Sequence, residues 1–254
     1  TPTAIANKKN TSESSYLEKM HYLKKIIIKF YKYSDLVITF SEDNKKYWKS
    51  TLNVKNVSVI YNYFPKHNGK KKIKKKYNIF FIGRLSKDKD PIFFMQNLIK
   101  LFKLKSFTVN IVGRGECINQ LKNIAQPYKK NIKFYGYIKN PLIKLHKIID
   151  VVCVTSKYDG TPNILGEALS YKIPCVAPNK VGLSNLLFKD GMYSYIYKPG
   201  NNLSFQKTIL KILNNYSSAI KKAKKGYVSL ERFNKKNTLG KLENTINKIY
   251  FNAN

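Results

Sequence analysis

The sequence predicts an α/β fold built on a parallel sheet. From Tyr77 onward, short apolar runs alternate with segments of helical spacing, which is typical of a sheet covered by helices on both faces. Residues 151–154 form a Val-rich apolar run of the kind found in strands buried on both faces. Asp90 followed by Pro91 predicts a capped helix start. We therefore expect a Rossmann-like unit whose ligands bind at the carboxyl ends of its strands.

The individual elements follow from the same patterns. Strands are predicted at residues 36–40, 57–61, 77–82, 107–112, 132–135, 151–154, 174–177 and 194–197. Helices are predicted at residues 14–33, 141–148 and 162–171, and through most of the C-terminal region. Further helices are predicted to begin after the capping residue Ser41, at Pro91 and at Val181, and another to end near Ala125. The stripe at residues 14–33 is flanked by lysines, so it fits either a helix packed on its own domain or one lying on a membrane surface.

The best candidate for a domain boundary is the lysine run at residues 66–76, which contains seven lysines. Like charges repel and extend a chain, so we interpret the run as a solvated linker rather than a nucleic-acid-binding or nuclear-localisation segment. The predicted domains are residues 1–65, the linker 66–76, a ligand-binding domain at 77–230 and a closing helix at 231–254.

Length and composition exclude several classes of protein. The 254 residues are 43% hydrophobic, which indicates a globular chain with a real core. No run approaches the roughly 18 to 20 apolar residues that a membrane-spanning helix needs. The three cysteines are widely spaced and odd in number, which predicts reduced, buried thiols in a cytosolic protein. The three histidines lack ligand-like spacing, so we expect no metal site and no cofactor.

The net charge of +34 favours anionic partners: nucleic acid, phosphorylated ligands or an acidic membrane face. Nearly all of the positive charge is Lys, however, and the chain is also rich in Asn, Ile and Tyr, so a lysine-rich composition is a competing explanation. Nucleic-acid grooves usually recruit Arg, which is scarce here. We therefore expect no nucleic-acid partner, and attraction to an anionic membrane as a secondary property.

Two carboxylates flank the predicted helix start after residues 151–154. Asp159 precedes the helix and Glu167 lies on its second turn, with seven residues between them. Thr161 is the predicted cap and Pro162 the first helical residue. A helix start directly after a parallel strand offers free N–H groups and a positive dipole end to a phosphate. Alternatively, Asp159 only caps the turn and Glu167 is a surface residue.

The segment D-G-T-P-N-I-L-G-E resembles the E-x7-E segment of retaining glycosyltransferases of the GT-B type, in particular glycosyltransferase family 4. The resemblance implies that Asp159 lies by the donor sugar and that Glu167 holds the ribose of a nucleotide diphosphate sugar. It also implies that the backbone of Gly160, Thr161, Pro162 and Asn163 lies at the diphosphate. Asp159 stands where this family usually has Glu, which leaves the carboxylate one methylene shorter.

Other segments carry the same resemblance. Residues 83–89, G-R-L-S-K-D-K, resemble the family's G-R-L-x-x-x-K segment, in which Arg84 and Lys89 would stabilise the departing diphosphate after the turn at Gly83. On their own, Arg84 and Lys89 are also compatible with two more exposed cations. The Gly113-Arg114-Gly115 turn resembles the family's G-x-G turn, although glycines that only allow positive φ explain it equally well. Gly136 and Tyr137 would lie by the base, with Tyr137 either stacking on uracil or covering the sheet edge.

The resemblance implies a GT-B fold with a Rossmann-like C-terminal domain and the end of an N-terminal Rossmann-like domain, most of which we expect to be missing. Acids are absent at residues 181–185, where the family commonly has Glu. The implied enzyme is a metal-independent, cytoplasmic glycosyltransferase, a hexosyl- or N-acetylhexosaminyltransferase at the inner membrane face. It would transfer sugar with retention from a nucleotide-sugar donor, with UDP favoured, to a lipid-linked or surface oligosaccharide acceptor. Alternatives are a basic non-enzymatic module and an inactive donor-binding fragment.

Overall fold

The structure, a computed structural model, describes residues 26, 28–31, 33–67, 76–157, 162–179 and 191–252, apart from the side chains of Asp43 and Asn252. The chain divides into two compact units, one within residues 1–63 and 233–254 and the other at residues 64–232. Residues 28–31 are helical; the rest of the helix predicted at 14–33 falls largely outside the described residues, as does the start of the helix predicted at Val181.

The helices and strands can be given in chain order. The strands are β1 (Val37–Thr39), β2 (Val57–Val59), β3 (Tyr77–Ile82), β4 (Phe107–Val112), β5 (Ile132–Gly136), β6 (Val151–Cys153), β7 (Cys175–Pro178) and β8 (Tyr195–Tyr197). The helices are α1 (Glu42–Ser50), α2 (Pro91–Ile99), α3 (Ile118–Ala125), α4 (Pro141–Leu145), α5 (Asn163–Ser170), α6 (Asn202–Asn214), α7 (Tyr216–Ser229) and α8 (Lys235–Asn252). Short 3₁₀ turns follow at Gln126–Tyr128 and Leu230–Phe233.

The first unit contains a two-stranded parallel sheet. β1 pairs with β2 in a register that sets Val37 opposite Val57. Since parallel strands need a crossover connection, α1 runs between them. Trp48 on α1 packs with Val37 and Val57 in one buried cluster, so this β–α–β segment has a small core of its own.

The second unit is built on a six-stranded parallel sheet in the order β5-β4-β3-β6-β7-β8. The chain adds β4 and β5 on one side of β3 and then returns to add β6, β7 and β8 on the other. The reversal lies between β3 and β6. In open parallel sheets, the crevice at such a reversal is where ligands bind.

The core of the second unit follows from the apolar runs of its central strands. Every residue of β4 and β6 is buried, as expected for strands covered on both faces. Phe94, Met95 and Leu98 on α2 are almost completely buried against the sheet. α6 and α7 add Phe205 and Ala219 to the same cluster. The predicted α/β architecture with a parallel, Rossmann-like sheet is therefore confirmed.

Most predicted elements are found within one or two residues of their expected bounds, and two capping predictions are confirmed in detail. The Ser41 side chain accepts a hydrogen bond from the Asn44 N–H, and the Asp90 side chain accepts one from the Phe93 N–H. Two helix boundaries were wrong. α4 ends three residues early, at Leu145, and α5 begins at Asn163 because Pro162, with a ψ of 88°, is not yet helical.

Candidate functional site

A cavity of about 180 Å³ opens at the carboxyl edge of the sheet, where the strand order reverses between β3 and β6. Residues at and after the ends of these two strands form most of its wall, and the start of α5 forms the rest. The lining residues are Phe81, Ile82, Gly83, Lys89, Cys153, Val154, Thr155, Ser156, Pro162, Asn163 and Ile164. The cavity therefore lies at the position where parallel sheets of this kind bind their ligands.

The loop after β3 is held against the loop after β4 by backbone hydrogen bonds. The Gly83 N–H donates to the Val112 carbonyl at 3.0 Å, and the Leu85 N–H donates to the Arg114 carbonyl at 2.9 Å. Cys117 returns a bond from its N–H to the Leu85 carbonyl at 2.9 Å. Leu85 is fully buried, so its side chain anchors the loop from below. This anchoring fixes the backbone on either side of Arg84.

The Gly113-Arg114-Gly115 turn has a structural role. Gly113 and Gly115 have φ angles of 146° and 156°, which other residues rarely adopt. A Cβ at Gly115 would also lie 2.6 Å from the Leu85 carbonyl oxygen. Of the two explanations left open by the sequence, the one based on backbone conformation is therefore supported by the geometry.

The two predicted cations differ in their surroundings. Lys89 lines the cavity, whereas Arg84 is not among its lining residues. The Arg84 side chain is 74% exposed and forms an ion pair at 3.5 Å with Asp88, four residues further along the same loop. An exposed pair of this kind contributes at most about 1 kcal/mol, so it leaves the guanidinium free to change partner.

The loop after β6 is fastened to the loop after β3. The Thr155 hydroxyl donates to the carbonyls of Lys89 and Asp90, at 3.0 and 2.9 Å. The Lys157 N–H donates to the Asp88 carbonyl at 2.8 Å, and its ammonium group lies 3.3 Å from an Asp90 carboxylate oxygen. The cavity is thus bordered by two loops that hold each other in place.

α5 begins at the cavity and carries Glu167 on its second turn. Pro162 occupies the N-cap position and provides no side-chain cap, and no acidic residue lies in the first turn. Burial raises the pKa of the Glu167 carboxyl above its ordinary value. Among the ion pairs of the described residues, none involves Glu167. A half-buried acid without a cation is costly to keep charged, which is typical of a group that binds a ligand.

Close packing fixes the position of α5. A Cβ added to Gly166 would overlap the ring of Phe64, so the glycine allows the two segments to approach. Tyr171, at the end of the helix, is sandwiched between the rings of His67 and His146, with centroid distances of 4.2 and 4.6 Å. Burial, followed by the charge of His146, lowers the pKa of His67.

Gly136 and Tyr137 lie further along the same edge, at the end of β5 and two strands away from β3. Gly136 has a φ of 65° and its carbonyl accepts a hydrogen bond from the Gly113 N–H at 2.8 Å. Tyr137 is 64% exposed, and the Arg114 guanidinium lies 5.1 Å from the centre of its ring. Arg114 is thus placed beside a predicted site residue, although the sequence assigned it no role.

The structure brings together four of the predicted site residues, Gly83, Lys89, Pro162 and Asn163, around one cavity. Arg84, Gly136, Tyr137 and Glu167 are described but are not among its lining residues. The predictions at Asp159, Gly160 and Thr161 lie outside the described residues. Sequence reasoning missed Thr155 and Ser156, whose signal was available: both are polar residues directly after a buried strand.

Other predictions concern thiols, metals and membranes. All three cysteines are free and buried, as predicted. Across the described ranges, no three His, Cys, Asp or Glu residues are arranged to hold a metal ion, and metal-independent chemistry stays a prediction. None of the helices in the described part of the chain combines the length and the apolar character needed to span a bilayer.

Comparison with known proteins assigns the chain to a protein family. Residues 64–228 match the family described as glycosyl transferases group 1. The chain belongs to this family. The match covers most of the second unit, including the cavity, both anchored loops and α5.

Two relatives place the group 1 chain among longer proteins. It is 30% identical over 202 residues to an uncharacterized glycosyltransferase of Methanocaldococcus jannaschii, an alignment covering 70% of this chain and 49% of the relative. It is 27% identical over 140 residues to the Escherichia coli UDP-Gal:α-D-GlcNAc-diphosphoundecaprenol α-1,3-galactosyltransferase, covering 53% of this chain and 36% of the relative. The group 1 chain therefore spans half, or less, of the length of these relatives.

The fold has well-matched counterparts among solved structures. HepE from Anabaena, in complex with UDP and glucose, superposes with a TM-score of 0.78 at 17% identity over 88% of this chain and 66% of that chain. At this identity the likeness concerns the fold alone. It agrees with the predicted fold class, α/β of the GT-B type with a Rossmann-like parallel sheet, which is confirmed.

Proposed function

We propose that the chain is the donor-binding part of a glycosyltransferase that uses a nucleotide diphosphate sugar, with UDP-sugars favoured. The observation that carries the proposal is the cavity at the strand reversal, which is lined by both Lys89 and the start of α5. The positive end of a helix dipole and a lysine ammonium together provide a diphosphate with hydrogen-bond donors and positive charge.

Glu167 would bind the ribose of the donor. Its carboxylate lies one helical turn beyond Asn163, and burial already raises its pKa. Two ribose hydroxyls would donate to this carboxylate, and such hydrogen bonds to a charged acceptor contribute about 1.5–3 kcal/mol each. Binding would thereby offset the cost of keeping the acid charged.

Arg84 and Lys89 would stabilise the diphosphate as it departs. Cleavage of the sugar–phosphate bond leaves additional negative charge on the nucleotide, and positive groups fixed nearby stabilise that charge. Arg84 would exchange its exposed partner Asp88 for the phosphate. Asp159 would orient the sugar, with Gly160 and Thr161 supplying backbone donors. In this proposal the bond from the sugar to the diphosphate breaks, the departing diphosphate oxygen takes the proton of the acceptor hydroxyl, and the acceptor oxygen bonds to the sugar on that same face. The sugar is therefore transferred with retention.

The remaining site residues would recognise the nucleoside. Gly83 and Gly136 shape the sheet edge, and Tyr137 offers an exposed ring on which a base can stack. Arg114, already stacked over this ring, would extend the platform. The preference for UDP is supported by the E. coli relative, whose name includes UDP-Gal, and by HepE, whose structure contains UDP.

The proposed acceptor is a lipid-linked or surface oligosaccharide, and the proposed location is the cytoplasm at the inner face of the membrane. The E. coli relative, named for a diphosphoundecaprenol acceptor, supports this choice. The excess positive charge would favour a peripheral position on an anionic membrane. We also propose that the transferred sugar is a hexose, which the UDP-Gal in the name of this relative supports, or an N-acetylhexosamine.

Calorimetry with UDP- and GDP-sugars tests donor binding. We expect the wild type to bind a UDP-sugar and Glu167→Ala to lose the binding, while Glu243→Ala, which removes an exposed acid from α8, behaves as the wild type. Equal affinity in all three proteins would contradict the proposal. Release of UDP in the presence of a diphosphoundecaprenol-linked sugar then distinguishes an active transferase from a chain that only binds the donor.

A further inference from the structure

We infer a second anion-binding site, for a diphosphate or a comparable multivalent phosphate group, in the first unit. A cavity of about 540 Å³ lies there at the amino ends of β1 and β2. Its lining residues are Asp35, Leu36, Lys49, Lys55, Asn56, Val57, Ser58, Thr245, Lys248 and Ile249. All of them belong to the first unit, and the cavity opens at the opposite end of the strands from their carboxyl edge.

Three lysines from three different segments converge on this cavity. Lys49 lies in the last turn of α1, Lys55 precedes β2, and Lys248 lies on α8. The lining also contains one carboxylate, Asp35, so three lysines less one acid give it a net charge of +2. In the part of the chain that the structure describes, no ion pair involves any of these four residues. The lining is thus net positive, and its one acid, Asp35, offsets only part of the charge of the three lysines.

Neutral hydrogen-bonding groups lie between the lysines. Asn56 and Ser58 border the cavity from the start of β2. Thr245 borders it from α8, three residues before Lys248 and therefore on the same face of the helix. The Thr245 hydroxyl donates to the Lys241 carbonyl at 2.6 Å, so the neutral donors offered to a phosphate are the Asn56 amide and the Ser58 hydroxyl. Beside lysine ammonium groups, such donors suit the oxygens of a phosphate, which accept several hydrogen bonds at once.

A lysine-rich composition alone is the competing explanation, since Lys49 could simply stabilise the carboxyl end of α1. Lys49, Lys55 and Lys248 are themselves exposed, but all three border one concavity that also contains neutral donors, whereas composition alone predicts lysines scattered without regard to such groups. The volume is sufficient for a diphosphate, because a water molecule occupies only about 30 Å³ of liquid. The anion is either free in solution or the headgroup of a lipid.

The test compares a double charge reversal with a matched control. Lys55→Glu/Lys248→Glu changes the cavity, and Lys105→Glu/Lys130→Glu makes the same change in net charge at exposed lysines of the second unit. Lys55→Arg/Lys248→Arg keeps the charge. Each protein, the wild type included, also carries Lys89→Ala, so that the proposed donor site does not contribute to pyrophosphate binding. Each is titrated with inorganic pyrophosphate by calorimetry and mixed with vesicles of phosphatidylcholine, with or without phosphatidic acid. Thermal unfolding checks that each variant is folded.

We expect the wild type, the arginine variant and the control to bind pyrophosphate or the phosphatidic acid vesicles. The affinity of the cavity variant should be at least about tenfold lower than that of the control. Loss of pyrophosphate binding identifies a free anion as the ligand, and loss of vesicle binding alone identifies a lipid headgroup. Equal binding by the cavity variant and the control in both assays would overturn the inference. So would the absence of any binding by the wild type.

Discussion

The backbone of Gly113 lies against the carbonyl group of Gly83, so closely that a Cβ atom at position 113 would overlap the Gly83 oxygen. Backbone hydrogen bonds on both sides of this contact join the loop after β3 to the turn after β4. Two segments thirty residues apart therefore form a single rigid corner from which Arg84 extends.

Gly113→Ala is expected to break this corner. The added methyl group would collide with backbone that cannot move away, and alanine disfavours a φ of 146°. We predict a loss of at least about 2 kcal/mol in the free energy of unfolding. Gly240→Ala is the matched control, because nothing lies within 4 Å of the added atom. In α8 it should be neutral or stabilise by about 0.5–1 kcal/mol. Urea unfolding measures both, and equal stabilities would contradict the role of Gly113.

Gly166 and Phe64 should be coupled in stability. Gly166→Ala places a methyl carbon 2.4 Å from atoms of the Phe64 ring, and overpacking of this kind costs about 1–3 kcal/mol. Phe64→Leu replaces the ring with a smaller side chain, so adding it to Gly166→Ala should recover some of the loss. A double-mutant cycle by urea unfolding measures the coupling, which we expect to exceed about 0.5 kcal/mol. Strict additivity would show that the two residues do not meet.

Glu167→Gln should stabilise the protein at neutral pH while weakening donor binding. Burial raises the pKa of the folded-state carboxyl above the unfolded value, so the folded protein holds its proton more tightly. Below the unfolded pKa of about 4.5, both states are protonated and this contribution to stability is fully present. It is lost as pH rises through the folded pKa.

The difference in melting temperature between Glu167→Gln and the wild type should therefore be small near about pH 4. It should grow in favour of the variant as the pH is raised toward about 7. Thermal unfolding across this range measures it. Glu243→Gln, at an exposed position, should show no such trend. A melting difference that does not change with pH would contradict the burial of a charged carboxylate at position 167.

Arg84→Ala and Lys89→Ala should each slow sugar transfer by about 10²–10³-fold, as expected for loss of a fixed group that stabilises developing charge. Lys87→Ala is the matched control, since Lys87 lies in the same loop, is exposed and does not line the cavity. The turnover number at saturating donor is the measurement. A similar small loss in all three variants would indicate that the loop contributes only a general positive charge.

The sheet could be predicted from the sequence because its strands are buried on both faces and therefore appear as continuous apolar runs. The bounds of β3 and β4 agree with those predicted, and the capping residue Asp90 indicated where α2 begins. The first and last residues of helices were harder to predict from the sequence. α5 begins one residue late because Pro162 adopts a ψ that no local pattern encodes.

Cavity-lining residues were predictable in the loop that follows β3, where Gly83 comes directly after the strand and Lys89 lies further along. Contacts between distant segments were not. The sequence offered no sign that Gly113 supports Gly83, that Thr155 fastens the Lys89 backbone, or that Arg114 stacks on Tyr137. These relationships depend on strand order, which places β4 and β6 on either side of β3. The cavity of the first unit was missed for the same reason, because its lysines come from segments almost two hundred residues apart.

The central claim, that the strand reversal forms a diphosphate site, is tested most directly by a crystal structure of the chain with UDP. We predict that the diphosphate lies in the cavity, with phosphate oxygens about 3 Å from the Lys89 ammonium group or from N–H groups at the start of α5, and the ribose hydroxyls at Glu167. UDP bound elsewhere on the molecule, with this cavity empty at saturating nucleotide, would contradict the account.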